Sequence, residues 1–189
     1  VAAKYNEDKK LKIIEKIIKS NDGISKNRFT NINEAQECIK NNILILEEKL
    51  SYVFKDVIVL IDNFDITCLN FSGFKKLNGS QLIKENITYI LNSLKSSVIE
   101  NEKDKTILQI FNSKSILDGQ ETENLPIGLF GDFYNHELTF FLIQNNYLKN
   151  IKSLFSKNNL NIEKILIKKF VEGAQLVKQN NGNDKFLLI

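Results

Sequence analysis

Apolar positions in this chain follow two periods, one typical of β-strands and one typical of α-helices. Nearly continuous apolar runs at residues 57–61 and 66–71 predict buried strands. Apolar residues three and four positions apart predict amphipathic helices at 33–54, with Asn33 as the N-cap, and at 83–98. Because strands and helices alternate, the predicted fold class is α/β, with α+β character.

Shorter elements complete the pattern in the second half of the chain. Residues 106–111, 114–118 and 138–143 predict three further strands, and 147–155 predict a helix. Residues 165–170 alternate in the manner of another strand. This half therefore continues the alternation of strands and helices.

The first residues fit two different structures. Residues 1–5 and 11–19 suit the two arms of a hairpin, with a turn between them. However, Leu11, Ile14 and Ile18 also suit one face of a helix. Periodicity alone leaves both structures open.

Composition narrows the class of protein. The chain has 189 residues, of which 42% are hydrophobic and 26% charged, as in ordinary globular domains. The net charge of +3 is small and Arg28 is the only arginine, which argues against a nucleic-acid partner. No apolar run is long enough for direct membrane insertion. Cys38 and Cys68 form no CxxC pair, and we expect reduced core thiols in a cytoplasmic protein.

The residue types that usually carry catalysis are sparse. His136 is the only histidine, and we expect it at the surface or in a local hydrogen bond. The acid pairs Asp118 with Glu121 and Asp62 with Asp65 lie at turns, where acids are common. No zinc-ligand spacing, nucleophile elbow or Walker phosphate loop occurs. The sequence predicts neither an enzyme nor a metal site.

One loop has unusual conformational restraint. Residues 117–131 read LDGQETENLPIGLFG and hold the only proline, Pro126, with Gly119, Gly128 and Gly131. Proline fixes φ and glycine allows angles that other residues avoid, so the loop is predicted to be rigid and shaped. A surface connection between two strands would also have this composition.

The order of residues in this loop resembles the bacterial cell-division protein family FtsA. The family pattern is V-D-G-Q, a few residues, and then N-P-x-G-M-x-G. Residues 117–120 and 126–131 follow it in register, with Leu125 and Leu129 as departures. Residues 22–32 similarly resemble a family stretch G-I-K-K-G-x-I-x-D-I, and 80–87 resemble R-E-I-T-x-E-D-I with fewer acids.

The resemblance implies a partial actin-like, ribonuclease H-like fold. The predicted order strand, helix, strand, strand over residues 65–131 resembles the small subdomain 1C that is inserted in FtsA. Residues 1–64 and 132–189 would then form the first and second parts of subdomain 1A. We expect the chain to be a fragment of a longer protein, since it has no methionine and starts within a strand-like run.

FtsA is an adaptor that tethers the division ring to the membrane, so the resemblance implies a function in binding. Subdomain 1C contacts the next FtsA subunit and receives later division proteins. We therefore expect contacts at the strands 66–71 and 106–118 and at the loop. The candidate interaction residues are Asp118, Gly119, Pro126, Gly128, Phe130 and Gly131. The tubulin-like ring protein, and the membrane at whose inner face the parent works, would be reached by regions outside this chain.

The resemblance also implies that ATP and magnesium bind the full-length parent rather than this chain. Actin-like proteins hold the phosphates in two acidic, glycine-rich loops, one preceding Val1 and one following the strand predicted at 185–189. We expect no cofactor in this fragment. Two alternatives remain open, a related adaptor such as the pilus assembly protein PilM and an ATPase or sugar-kinase-like enzyme of the same fold.

Overall fold

The structure is a computed structural model that describes residues 1–7, 11–25, 28–62 and 65–179. It contains ten strands and four helices within these ranges. In chain order they are β1 (Ala2–Tyr5), β2 (Leu11–Glu15), β3 (Ile24–Ser25), β4 (Arg28–Phe29), α1 (Ile32–Leu50), β5 (Asp56–Ile61), β6 (Ile66–Lys76), α2 (Lys84–Asn101), β7 (Lys105–Leu117), β8 (Gln120–Thr122), β9 (Phe133–Gln144), α3 (Asn145–Ser156), β10 (Asn161–Ile167) and α4 (Lys168–Gln179).

The chain divides into two compact units, and the division falls inside α3. One unit comprises Val1–Phe64 and Lys149–Ile189, and is called here the outer unit. The other comprises Asp65–Leu148 and is called the sheet unit. The predicted α/β class is confirmed, because parallel and antiparallel sheets both occur. This mixture is consistent with a partial actin-like fold.

Among its described residues, the outer unit has three separate two-stranded sheets. Strands β1 and β2 pair antiparallel, so the hairpin forms and not the helix that the first residues also allowed. The N-cap of helix α1 is Asn31, two residues before the predicted Asn33, and the helix begins at Ile32. The Asn31 Oδ1 atom accepts hydrogen bonds from the backbone N–H groups of Asn33, at 3.1 Å, and Glu34, at 3.3 Å.

Strands β5 and β10 form a parallel pair in the same unit. Strand β10 ends at Ile167, and α4 begins at the next residue, whereas the sequence pattern predicted a strand as far as residue 170. The Lys168 ammonium lies 2.7 Å from Asp62 Oδ2, which joins the two strand ends. The turn and strand predicted beyond residue 179 lie outside the described residues.

The sheet unit is a four-stranded antiparallel sheet in the order β6-β9-β7-β8, with α2 packed on one face. Alternate residues of β9 face this helix and are buried, as the period of a strand requires. They form two core clusters with Ile90 and Val98 of α2. The buried residues of β9 in these clusters are Tyr134, Leu138, Phe140 and Leu142.

The sheet unit ends at Leu148 and not at the boundary predicted at Gly131. The reason is that β9 is the centre of its sheet and pairs with both β6 and β7. The predicted strands at 106–111 and 114–118 are one strand, β7. The order strand, helix, strand, strand is present and is followed by a further strand, since the elements are β6, α2, β7, β8 and β9.

Strand β6 is longer than the run 66–71 that predicted it. It continues through Gly73, where a Cβ atom would lie 2.6 Å from Ile90 Cγ2 of α2. Glycine is needed here because the helix approaches the strand closely. The sequence pattern ended the strand just before this glycine, because glycine often ends strands, but Gly73 instead marks a contact with the helix. Within the described part of the chain, no helix combines the length and apolarity needed to cross a membrane.

Candidate interaction surface

The predicted loop begins with a tight turn between β7 and β8. Leu117 pairs with Gln120, so only Asp118 and Gly119 lie in the turn. Their φ angles are 48° and 82°, both in the left-handed region. Two such angles define the type I′ turn, which suits the twist of a hairpin and favours an Asp-Gly pair.

The Asp118 carboxylate also fixes the start of β9. Its Oδ1 atom accepts hydrogen bonds from the backbone N–H groups of Asp132, at 2.9 Å, and Phe133, at 2.8 Å. Gly131 lies against this turn, and a Cβ there would be 2.7 Å from Leu117 Cδ1 and 2.8 Å from Asp118 Oδ2. Asp118 and Gly131 therefore hold the two ends of the loop together.

The second half of the loop pairs with the connection between β6 and α2. The Leu82 N–H donates to the Leu129 carbonyl at 2.8 Å, and the Gly128 N–H donates to the Leu82 carbonyl at 2.9 Å. Gly128 has a φ of 91°, and Pro126 is buried. These bonds make the loop an ordered part of the sheet unit.

Its apolar side chains nevertheless face solvent. Phe130 is 71% exposed and Leu129 is 54% exposed. We call the group a loop-end patch; it consists of Ile83, Leu125, Ile127, Leu129 and Phe130, all exposed. Exposed apolar side chains at neighbouring positions of an ordered backbone are typical of sites that bind other proteins.

The six candidate residues have different positions in this arrangement. Only Phe130 presents a large exposed side chain, while Asp118, Gly119, Gly128 and Gly131 shape the backbone and Pro126 is buried. The sequence reasoning missed the other four members of the patch. Their signal was the apolar run from 125 to 130 inside a loop, where polar residues are usual.

The face of the sheet opposite α2, called here the open face, is polar at its centre. Asn70 Oδ1 accepts a hydrogen bond from the Thr139 hydroxyl at 2.7 Å, and the Ser72 hydroxyl donates to Asn135 Oδ1 at 2.5 Å. Cys68 lies on this face and is exposed, so its predicted core position is wrong. Its position follows from alternation, because the neighbouring residue Leu69 packs toward the helix.

His136 is buried, which corrects the prediction of a surface histidine. It is 1% exposed and lies on the α2 side of β9, between Gly73 of β6 and Ser115 of β7. Neither ring nitrogen has a hydrogen-bond partner among the described residues. Burial lowers the pKa of the His136 imidazole below its usual value, because the charged form would lose its hydration. The neutral ring is a core residue.

The outer unit has an open cleft beside α1. Lysines and acids both line it, including Lys40, Lys55, Lys157, Glu47 and Asp56. Charges of both signs give the cleft no strong preference for an anionic or cationic ligand. No group of three or more histidine, cysteine or acidic residues in the described ranges could hold a metal ion.

Sequence comparison gives relatives for most of the chain. No protein-family model matches it. The cell division protein FtsA of Buchnera aphidicola subsp. Schizaphis graminum is 26% identical over 157 residues, which are 83% of this chain and 37% of the relative. The FtsA of Buchnera aphidicola subsp. Acyrthosiphon pisum is 22% identical over 161 residues, or 85% of this chain and 38% of the relative.

The chain thus spans less than two fifths of the length of these curated relatives. The matches support assignment to the cell-division, actin-like family. They confirm the resemblance seen in the loop motif, and the chain is similar in sequence to FtsA across most of its length.

Proposed function

We propose that this chain is the interaction region of an FtsA-like cell-division adaptor, where it mediates self-association and recruits other division proteins. The observation that supports this most is the loop-end patch, an exposed apolar cluster on an ordered loop of an FtsA-like sequence. Contacts would be made by the sheet unit, whose loop and strand edges are accessible.

The backbone around the patch is suited to binding. An aromatic side chain that is already held in place loses little conformational freedom when a partner covers it. The turn at Asp118 and the pairing of Gly128 with Leu82 supply that order before any partner arrives. Phe130 is the expected anchor, with Leu129 and Ile127 beside it.

The chain itself is proposed to be no enzyme and to bind no nucleotide. Phosphate loops bind through free backbone N–H groups. In this chain the N–H groups of Gly128, Gly131 and Gly79 donate instead to the carbonyls of Leu82, Ser80 and Gly131. ATP with magnesium, the tubulin-like ring protein and the inner face of the membrane are proposed to be bound by other parts of the full-length parent.

Recruitment in cells tests the proposal. A fluorescent fusion of the full-length protein that carries this sequence is compared with its Phe130→Ser variant. The control is Ile99→Ser, which alters a similarly exposed residue, 56% accessible, near the other end of α2. We expect Phe130→Ser to lose most of its recruitment to division sites at equal abundance, while Ile99→Ser keeps it. Full recruitment of the Phe130 variant would contradict the proposed role of the patch.

A further inference from the structure

The two edges of the sheet unit differ in regularity. Strand β7 is paired by β8 only at Ser115–Leu117, and its remaining edge has register shifts between Ile107 and Gln109 and between Asn112 and Lys114. Strand β6 pairs with β9 in unbroken register over all 11 residues. No described strand lies on the other side of β6.

This difference determines which edge can accept another strand. Bulges twist an edge and interrupt its row of backbone groups, and natural sheets use them to prevent unwanted pairing. The β7 edge has this protection. The β6 edge does not, and it presents outward N–H and C=O groups at alternate residues along a strand without register shifts. Strand β6 is therefore the edge that is competent for pairing.

The charges along β6 indicate its partner. Asp65 precedes the strand, Lys75 and Lys76 end it, and no charged residue lies between. Antiparallel pairing of β6 with its own copy brings the acidic end of each strand to the basic end of the other. Parallel pairing would align like charges, which destabilises a sheet. The strand thus complements itself in one orientation.

We propose that β6 pairs antiparallel with β6 of a second copy, about a two-fold axis at Asn70. Asp65 of each copy then lies opposite Lys75 of the other. The proposal rests on the self-association proposed above and adds the β6 edge to the loop-end patch as a second surface for it. It joins two four-stranded sheets into one continuous sheet, with α2 of both copies on the same face.

The other residue pairs that this register places opposite each other also suit a β6–β6 contact. On the α2 face, Leu69 lies opposite Phe71 of the second copy, which extends the apolar packing around each core. On the open face, Ile66 lies opposite Phe74 of the second copy, so pairing covers a side chain that is 70% exposed. Asn70 meets its own copy at the axis, where two amides can hydrogen-bond.

Sedimentation equilibrium of the 189-residue chain measures the dimer dissociation constant, and a charge exchange, in which the charges at Asp65 and Lys75 are reversed singly and together, tests the proposal. We expect a reversible dimer in low salt. Asp65→Lys and Lys75→Glu should each raise the dissociation constant about tenfold, because each change creates two like-charge contacts per dimer. The double variant should return to within about threefold of the original, because the pairs are restored with reversed sign.

A matched pair of variants distinguishes dimerisation through the β6 edge from dimerisation through the β7 edge. Asn70→Lys places two lysines opposite each other at the axis and should weaken the dimer by at least about tenfold. Asn112→Lys, the same change on the bulged edge, should leave it unaltered. Far-UV circular dichroism and thermal unfolding of each variant confirm that the fold is retained.

Two results would overturn the β6 dimer. The first is a chain that stays monomeric up to millimolar concentration in low salt. The second is a dimer that is insensitive to Asn70→Lys and to the charge exchange. Neither result removes the interaction role of the loop-end patch, which the recruitment of Phe130→Ser tests separately.

Discussion

The sheet unit and the outer unit cover their apolar residues to different degrees. In the sheet unit, α2 covers one face of a four-stranded sheet, and Phe140 is 0% exposed. In the outer unit, the sheets have two strands, and Leu60 of β5 is 50% exposed. Two-stranded sheets are marginal by themselves, whereas three or more strands under a helix can be stable alone. The difference indicates that the sheet unit is the more stable of the two.

Hydrogen exchange measured along the whole chain should show the largest contrast. We expect backbone amides in the central strand β9 to exchange at least about 100-fold more slowly than those in the β1–β2 hairpin, because opening β9 requires unfolding of the sheet unit. Equal protection in β1 and β9 would show that the two units unfold as one, and would break the comparison.

Two phenylalanines in β9, one buried and one exposed, test which face of the sheet forms the core. Phe140→Ala should lower the free energy of unfolding by about 3–5 kcal/mol, because it removes a fully buried ring from the core. Phe133→Ala, at a position 53% exposed, should cost about 1 kcal/mol or less. Urea denaturation measures both. Similar costs at the two positions would mean that the α2 face is not the core.

Removal of the Asp118 carboxylate should have a smaller effect on the free energy of unfolding. Asp118→Ala leaves two backbone N–H groups without their carboxylate acceptor and should cost about 1–3 kcal/mol. Glu121→Ala, on the same hairpin, removes only a 3.7 Å contact to Lys114 between exposed side chains and should be nearly neutral. Thermal unfolding of the two variants is sufficient to distinguish these costs.

Acidification should destabilise the sheet unit through His136. Its pKa is lowered in the folded state, so the unfolded chain binds a proton first as the pH falls below about 6.5. Stability is therefore complete above that pH and decreases by up to about 1.4 kcal/mol per unit until the folded pKa is reached. Urea midpoints between pH 7.5 and 5.5 measure this. His136→Leu should remove most of the pH dependence, and an unchanged dependence would contradict the assignment.

The turn chemistry and three of the four described helices, α1 to α3, could be read from the sequence, because they depend on local residues. Asp118 and Gly119 predicted a turn, and the apolar spacing of α2 predicted its buried face. His136 was misplaced because a polar residue in a buried strand looks exposed until its neighbours are known. Gly73 suggested the end of a strand for a similar reason, since its requirement comes from Ile90 of α2.

The loop motif singled out the segment that is proposed here as an interaction site, but not the side chains that face solvent there. Which side chains face solvent depends on the pairing of Gly128 and Leu129 with Leu82, across 46 positions from residue 82 to residue 128. Pairing at that distance has no local signal, so Ile83 could not be associated with Phe130 from sequence alone.

The measurement that tests the account most directly is a binding titration. The labelled 189-residue chain is titrated with the longer protein that is proposed to carry this sequence, and fluorescence anisotropy is followed. We predict saturable binding that Phe130→Ser weakens about tenfold or more and that Ile99→Ser leaves unchanged. Absence of binding, or equal affinity for all three chains, would contradict the assignment of this region as an interaction surface.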